Sequence, residues 1–322
     1  MKFYKITWLL LLTILFTNCE QNITIKKHKL TGINPLAYTD VIFKSDQDTV
    51  FVSTFDGKIY EIVDHKKGRK QIADIDDEIY NLAYNPEKAE LYAATLYSGV
   101  VVINASNGTI TKKLPIKETW AYQICYNKRN GILATFDFKG NHYIWDTEKD
   151  FSNIKAPQEL NQMRPKYIAD NGDLYFDGQG KIVTWNYKTN TLEQHNASGK
   201  IADVDDDKNL VLVGSKEFTF YDPNKDHIYF KKKHPNWPIH LPGKDSIVNV
   251  PLHLEIISGF TTKKFIYTYG LDKSIREWDK LTGKLTKTYT EHKATLSGMD
   301  ISQDESQLVS VDLLGKVHFL NL

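Results

Sequence analysis

The sequence predicts an all-β protein: a seven-bladed β-propeller of four-stranded antiparallel blades, closed by a strand from near the N-terminus. Three observations predict it. Aromatic residues make up 12% of the 322 residues, with 18 Tyr and 15 Phe against 3 Met, a bias towards strands over helix bundles. Beyond residue 36, short β-branched and aromatic runs are punctuated by Gly, Asn and Asp, with no helical periodicity. These runs also recur at a nearly constant interval. A chain of this length is near the limit for a single core, so an architecture that grows by repetition is one of two natural solutions, a pair of domains being the other.

The N-terminal element comes first. Lys2 and Lys5 precede an uncharged apolar run of 11 residues, from Ile6 to Phe16. That is the length of a signal-peptide core and too short to cross roughly 30 Å of hydrocarbon as a helix. Thr17, Asn18 and Cys19 follow, and then polar sequence. The cysteine at this boundary resembles the lipobox of bacterial lipoproteins, although Phe16 and Asn18 stand where that family usually has Leu and a small residue. The resemblance implies cleavage of residues 1–18 and attachment of diacylglycerol to Cys19, which anchors a protein without spanning the bilayer. A plain secretory signal with a cysteine near its cleavage site is the alternative. Residues 19–36 then serve as lipid tether and ring-closing strand, and 37–322 as the propeller. The other cysteine, Cys125, lies in an apolar run and reads as a buried thiol.

The repeat is read from its turns. Each unit has a strand, a tight turn, a second strand ending in an aromatic or aliphatic residue with Asp or Asn, and a polar turn. The first turn falls at Gly57, Gly99, Gly140, Gly180, Lys216, Lys273 and Gly315, with spacings of 42, 41, 40, 36, 57 and 42. Five of these match the roughly 40–45-residue period of a four-stranded blade. The sixth leaves room for an insertion at about 226–250. The last unit ends at Leu322 after its third strand, and 23–30 (ITIKKHKL) alternates as a strand does, so this segment is expected to fill the seventh blade.

Ile144-Trp145-Asp146 and Glu277-Trp278-Asp279, with Thr184-Trp185-Asn186 close to them, make the chain resemble WD-repeat β-propellers over roughly 30–322. That family stiffens each blade with a hydrogen-bonded tetrad of His, Ser or Thr, Asp and Trp. The resemblance assigns Thr268, Asp272 and Trp278 to the sixth tetrad, with no His at the expected place. It assigns His292 and Ser310 to the seventh, with Leu314 and Leu320 replacing the Asp and Trp, and it puts Lys139 at the Asp position of the third.

Chemistry is harder to find. With 41 Lys and Arg against 40 Asp and Glu, no global field would draw the chain onto nucleic acid. The acidic stretches 74–78 and 203–207 lack the Gly and distal Glu of a helix-flanked calcium loop and read as solvated turns. His227, His234, His240 and His253 are spaced 7, 6 and 13 apart, without the tight pairing of a zinc site. No metal, cofactor or catalytic residue is therefore assigned. The segment 226–253 reads as a Pro-stiffened insertion, and Trp237, His234, His240 and Lys232 are its candidate partner-binding residues. Trp237 packing beneath its own loop is the alternative. The expected function is a monomeric, lipid-anchored, non-catalytic platform in a bacterial cell envelope, at the outer membrane facing the periplasm or the surface. It would bind a protein or glycan partner. The alternative is a propeller hydrolase or lyase with its site in the central channel.

Overall fold

The computed structural model describes residues 36–44, 48–64, 66–241, 243, 246–250 and 254–322. Their strands form seven antiparallel sheets in sequence order around an axis, plus one two-stranded hairpin, with only two single-turn 3₁₀ helices. Blades 1 to 6 (38–74, 79–114, 124–153, 164–195, 200–233 and 256–289) have four strands each. Blade 7 (296–321) shows three among the described residues. The ring-closing segment 23–30 and the lipidation site Cys19 lie outside the described residues. The turns that set the period are where the spacing predicts them: Gly57, Gly99, Gly140, Gly180, Lys273 and Gly315 have φ between 65° and 89°. At Gly315 a Cβ would stand 2.4 Å from the Leu36 carbonyl oxygen, so glycine is needed for space as well as for φ.

The buried apolar side chains fall into seven clusters, one for each junction between neighbouring blades. No blade can bury its apolar faces alone, and the ring is the arrangement in which every blade has a neighbour on both sides. The seam between blades 7 and 1 is closed in the same way, with Val309 and Val311 packing against Val41, Val50 and Val52. Ser297 Oγ also donates to the Tyr38 carbonyl at 2.6 Å there.

A second device repeats with the blades. In six of the seven, the register between the first two strands slips by one residue near the start of the innermost strand, at Thr39, Tyr80, Lys166, Ala202, Ile257 and Ser297. Bulges of this kind re-aim the side chains that follow. After three of them, at Asp40, Asn81 and Asp203, the next side chain caps the neighbouring blade. Asp40 Oδ2 accepts Leu82 N at 2.8 Å, and Asn81 Oδ1 accepts Ile124 N at 2.8 Å. Asp203 Oδ2 accepts Thr261 N at 2.8 Å and Asp300 Oδ2 accepts Phe43 N at 2.7 Å. Between blades 3 and 4 the buried Cys125 thiol takes this part, donating to Pro165 O at 3.4 Å. Burial pushes that thiol up to about 12, as expected for a packed cysteine rather than a reactive one.

Three tetrad assignments need correction. Blade 6 does have a histidine: His234 Nε2 lies 2.8 Å from Thr268 Oγ1, which also accepts Trp278 Nε1–H at 2.8 Å. The hairpin Trp237–His240/Ile247–Val250 is inserted between His234 and its blade, which displaces the histidine in sequence but not in space. Arg276 joins the set, with Nη1 2.7 Å from His234 Nδ1 and Nη2 2.6 Å from Asp272 Oδ2. In blade 7 the acid is Asp312, whose Oδ2 is 3.1 Å from His292 Nδ1, while His292 Nε2 is 2.7 Å from Ser310 Oγ. The turn carboxylate of blade 3 is likewise Asp137, which accepts from the backbone N–H groups of Lys139 and Asn141.

Candidate functional site: an aromatic cleft on one face

Strand direction alternates within a blade, so the loops joining second to third strands emerge on the same face as the links between blades. On this face stand six of the exposed large apolar side chains found among the described residues: Leu36, Tyr122, Phe138, Leu271, Leu313 and Leu314. The opposite face carries two, Leu281 in a loop and Leu322 after the last strand. Most of these apolar loop residues thus share one face, and the contiguous part of them, at Tyr122 and Phe138, marks the candidate interaction surface.

The aromatic part of this surface is continuous. Phe55 packs edge-on against Tyr80 at 5.7 Å, Tyr80 against Trp120 at 5.3 Å, and Trp120 against Tyr122 at 5.3 Å between ring centres. Phe138 lies nearly parallel to Trp120 at 6.4 Å. Of these rings Trp120, Tyr122 and Phe138 border a cleft of about 390 Å³, completed by Phe136, Asp137, Lys139, Gln162, Arg164 and Gln179. Phe138 is 69% exposed and Tyr122 50%.

Local structure explains why the cleft forms at blade 3. Its innermost strand, Ile124–Asn127, is the shortest of the seven and the one without the bulge. Residues 119–122 leave the sheet and are stitched to neighbouring loops. Trp120 N donates to Leu96 O at 2.6 Å, Ala121 N to Thr95 O at 3.0 Å, and Phe138 N to Thr119 O at 3.0 Å. The loop is therefore held in place by backbone bonds.

Two signs of strain coincide here. Trp120, Gln162 and Gln179 all adopt left-handed backbone conformations, with φ of 67°, 62° and 52°. For residues other than Gly, Asn and Asp this costs on the order of 1–2 kcal/mol each. In addition, Trp120 Nε1–H is buried with no acceptor. Strained backbone and an unpartnered donor often cluster at ligand sites, and here they coincide with the exposed rings.

The charges at the cleft are internally matched. Arg164 Nε and Nη2 bind Asp177 Oδ1 at 3.1 and 2.9 Å, and Lys139 Nζ binds Glu118 Oε1 at 2.9 Å. Asp137 also accepts from Asn141 Nδ2 at 2.9 Å and from the Tyr143 hydroxyl at 2.9 Å. Such a carboxylate is a turn anchor and leaves no lone pair directed at a reacting group.

The sequence-predicted site residues are distributed differently. His234 is 1% exposed and locked in the blade 6 hydrogen-bond set, so it cannot offer its ring to a partner. Burial, reinforced by the Arg276 charge, holds it down at about 3. Lys232 belongs to the outer strand of blade 5, His227–Lys233, with its ammonium 5.7 Å from the centre of the Phe230 ring. The inserted element therefore starts later than 226. Trp237 and His240 occupy the first strand of the hairpin, opposite Val250 and Ile247. Asp77 and Asp205 of the acidic stretches are buried anchors. Asp77 accepts from Ser98 N at 2.7 Å, and Asp205 pairs with Lys280 at 2.7 Å. Among the described residues no three His, Cys, Asp or Glu side chains come together as a metal site. Along the innermost strands burial raises Asp40 to about 7, Asp203 to about 7 and Asp300 to about 6. Each is bound to a backbone N–H of the next blade, which makes these groups latches rather than a catalytic set.

No protein-family model matches the chain. No curated protein matches it either. Solved structures do. The RRP9 WD40 repeats superpose with a TM-score of 0.70 at 11% identity, covering 87% of this chain and 88% of theirs. The WD40 β-propeller domain of Doa1 gives 0.70 at 13% identity, covering 90% and 94%. A chain of the Mitotic Checkpoint Complex gives 0.70 at 12% identity, covering 95% and 94%. Seven blades, a His–Thr–Trp set in blade 6 and these superpositions together give the chain the fold of the WD40 β-propellers.

Proposed function

We propose that this protein is a non-catalytic interaction platform, tethered through lipid on Cys19 to a bacterial cell envelope and presenting one face of the ring to a partner. The observation that carries the reading is the aromatic cleft around Trp120. Exposed rings, strained backbone and an unsatisfied indole N–H occur there together, on the face that also holds most of the exposed apolar loop residues. The carboxylates nearest the axis are engaged in holding blades together, which favours a platform over a channel hydrolase. One similar chain comes from a structure named as a complex, in keeping with a scaffold that works by display. The Cys19 anchor, the envelope location and completion of blade 7 by 23–30 rest on the sequence.

The test is a pull-down from detergent-solubilised membranes with the full chain and with Tyr122→Ala/Phe138→Ala. The platform reading expects specific partners that the double variant loses while its melting temperature stays unchanged. Identical capture by both forms would remove the cleft from the reading. An unmodified Cys19 in mass spectrometry of the mature N-terminus would remove the anchor.

A further inference from the structure

The geometry points to a neutral oligosaccharide as the ligand of the Trp120 cleft, an assignment that rests on the platform reading and names the chemistry of its partner. Three properties of the cleft lead there. First, its ions are already spent on one another: Arg164 on Asp177, Lys139 on Glu118, Asp137 on its own turn. No charge at the rim stands without an opposite partner, so the cleft has no net unpaired charge that favours a phosphate, a carboxylate or an ammonium group.

Second, the rings stand in the open. A protein partner's hot spots are usually enclosed and fully desolvated. Here Phe138 stays 69% exposed and Tyr122 50%, in a cleft open to solvent. A flat, half-exposed aromatic face suits a ligand that is itself flat and apolar on one side and polar at its edge. A pyranose ring has that character: its axial C–H groups carry partial positive charge and meet the negative face of an aromatic ring.

Third, the groups left uncommitted at the rim are neutral and planar. The two exposed amides, Gln162 and Gln179, touch each other through one weak contact of 3.5 Å, which leaves Gln162 Nε2 and Gln179 Oε1 without partners. Together they offer one donor and one acceptor, the pair a vicinal diol requires. Both residues take left-handed backbone conformations, with φ of 62° and 52°, in loops that meet at the cleft rim. The volume, about 390 Å³, falls within the roughly 300–1,000 Å³ of small-ligand clefts.

The experiment is binding of the full chain to an array of neutral and acidic oligosaccharides, followed by calorimetry on the best neutral ligand and by tryptophan fluorescence. Binding is expected to be neutral-selective and insensitive to salt. Phe138→Ala and Tyr122→Ala should each weaken it by about tenfold or more, on the scale of one lost stacking contact. Gln179→Ala should weaken it by less. Phe138 is exposed, so its variant should melt with the native chain, and any loss of binding then reads the site alone. Failure to bind any array member overturns the inference, as does neutral binding indifferent to both ring variants. If the cleft variants abolish capture of a protein partner while no sugar binds, the platform stands and the oligosaccharide assignment falls.

Discussion

His234 Nε2 lies 2.8 Å from Thr268 Oγ1 although 34 residues separate them, and the inserted hairpin fills the interval. Arg276 is charged and can only donate, so His234 Nδ1 must accept its N–H and the ring proton must reside on Nε2, which donates to the threonine. The set works only with a neutral imidazole. Because the folded value, about 3, lies below the unfolded 6.5, the contribution of His234 is fully present above pH 6.5. It is lost as pH falls from there towards 3. We expect His234→Asn to be less stable at neutral pH and to lose less further stability on acidification than the native chain. Urea titrations at pH 7 and pH 4.5 read this; parallel losses in both proteins would refute the assigned tautomer.

Asp40 predicts the opposite slope. Burial raises its carboxyl from 3.8 to about 7, so the folded state favours the protonated form. Its contribution is present at acid pH and is lost as pH rises through about 7. Asp40→Asn keeps an acceptor for Leu82 N without the buried charge. Relative to the native chain, the variant should gain stability between pH 4 and pH 8, measured by denaturant unfolding at both ends. A pH-independent difference between the two would mean that Asp40 is hydrated in the ring.

Gly298 faces Asp40 across the seam between blades 7 and 1. A Cβ there would stand 2.7 Å from Asp40 Oδ1 and 2.9 Å from its Cα, closer than packed atoms allow. Gly298→Ala should destabilise the protein by about 1–3 kcal/mol, as overpacking in a close contact does. The control is Gly180→Ala, which meets no atom within 4 Å and differs only in backbone strain at φ 73°. Equal melting temperatures for native protein and Gly298→Ala would show that the seam is looser than the geometry implies.

Trp278 is buried at the junction of blades 5 and 6 and donates to Thr268. Trp278→Ala should cost about 3–5 kcal/mol, the range for removing a large buried aromatic. Calorimetric melting checks it.

The third strand of blade 7, Val317–Asn321, has no outer neighbour among the described residues and is only partly buried along most of its length. If 23–30 covers it, deleting that segment should lower the melting temperature and promote self-association through the bare edge. A deletion that melts with the native protein and stays monodisperse would separate the N-terminal segment from ring closure.

The sequence by itself determined the blade number. Turn residues such as Gly57, Gly99 and Gly315 must take left-handed φ, which few residues tolerate, so their spacing is written in the chain. It also determined which tryptophans are buried, because Trp145, Trp185 and Trp278 end β-branched strands. Only the tertiary structure decided the rest. A period shows where strands fall but not which side chain reaches the next blade, so the latches of Asp40, Asn81 and Asp203 were not legible. His234 looked like part of an exposed insertion because sequence distance hides a contact that an inserted hairpin leaves intact. The cleft was missed for the same reason. Trp120, Phe138 and Gln179 belong to different loops, and the packing of blade 3 against blade 4, which no local pattern encodes, brings them to one rim.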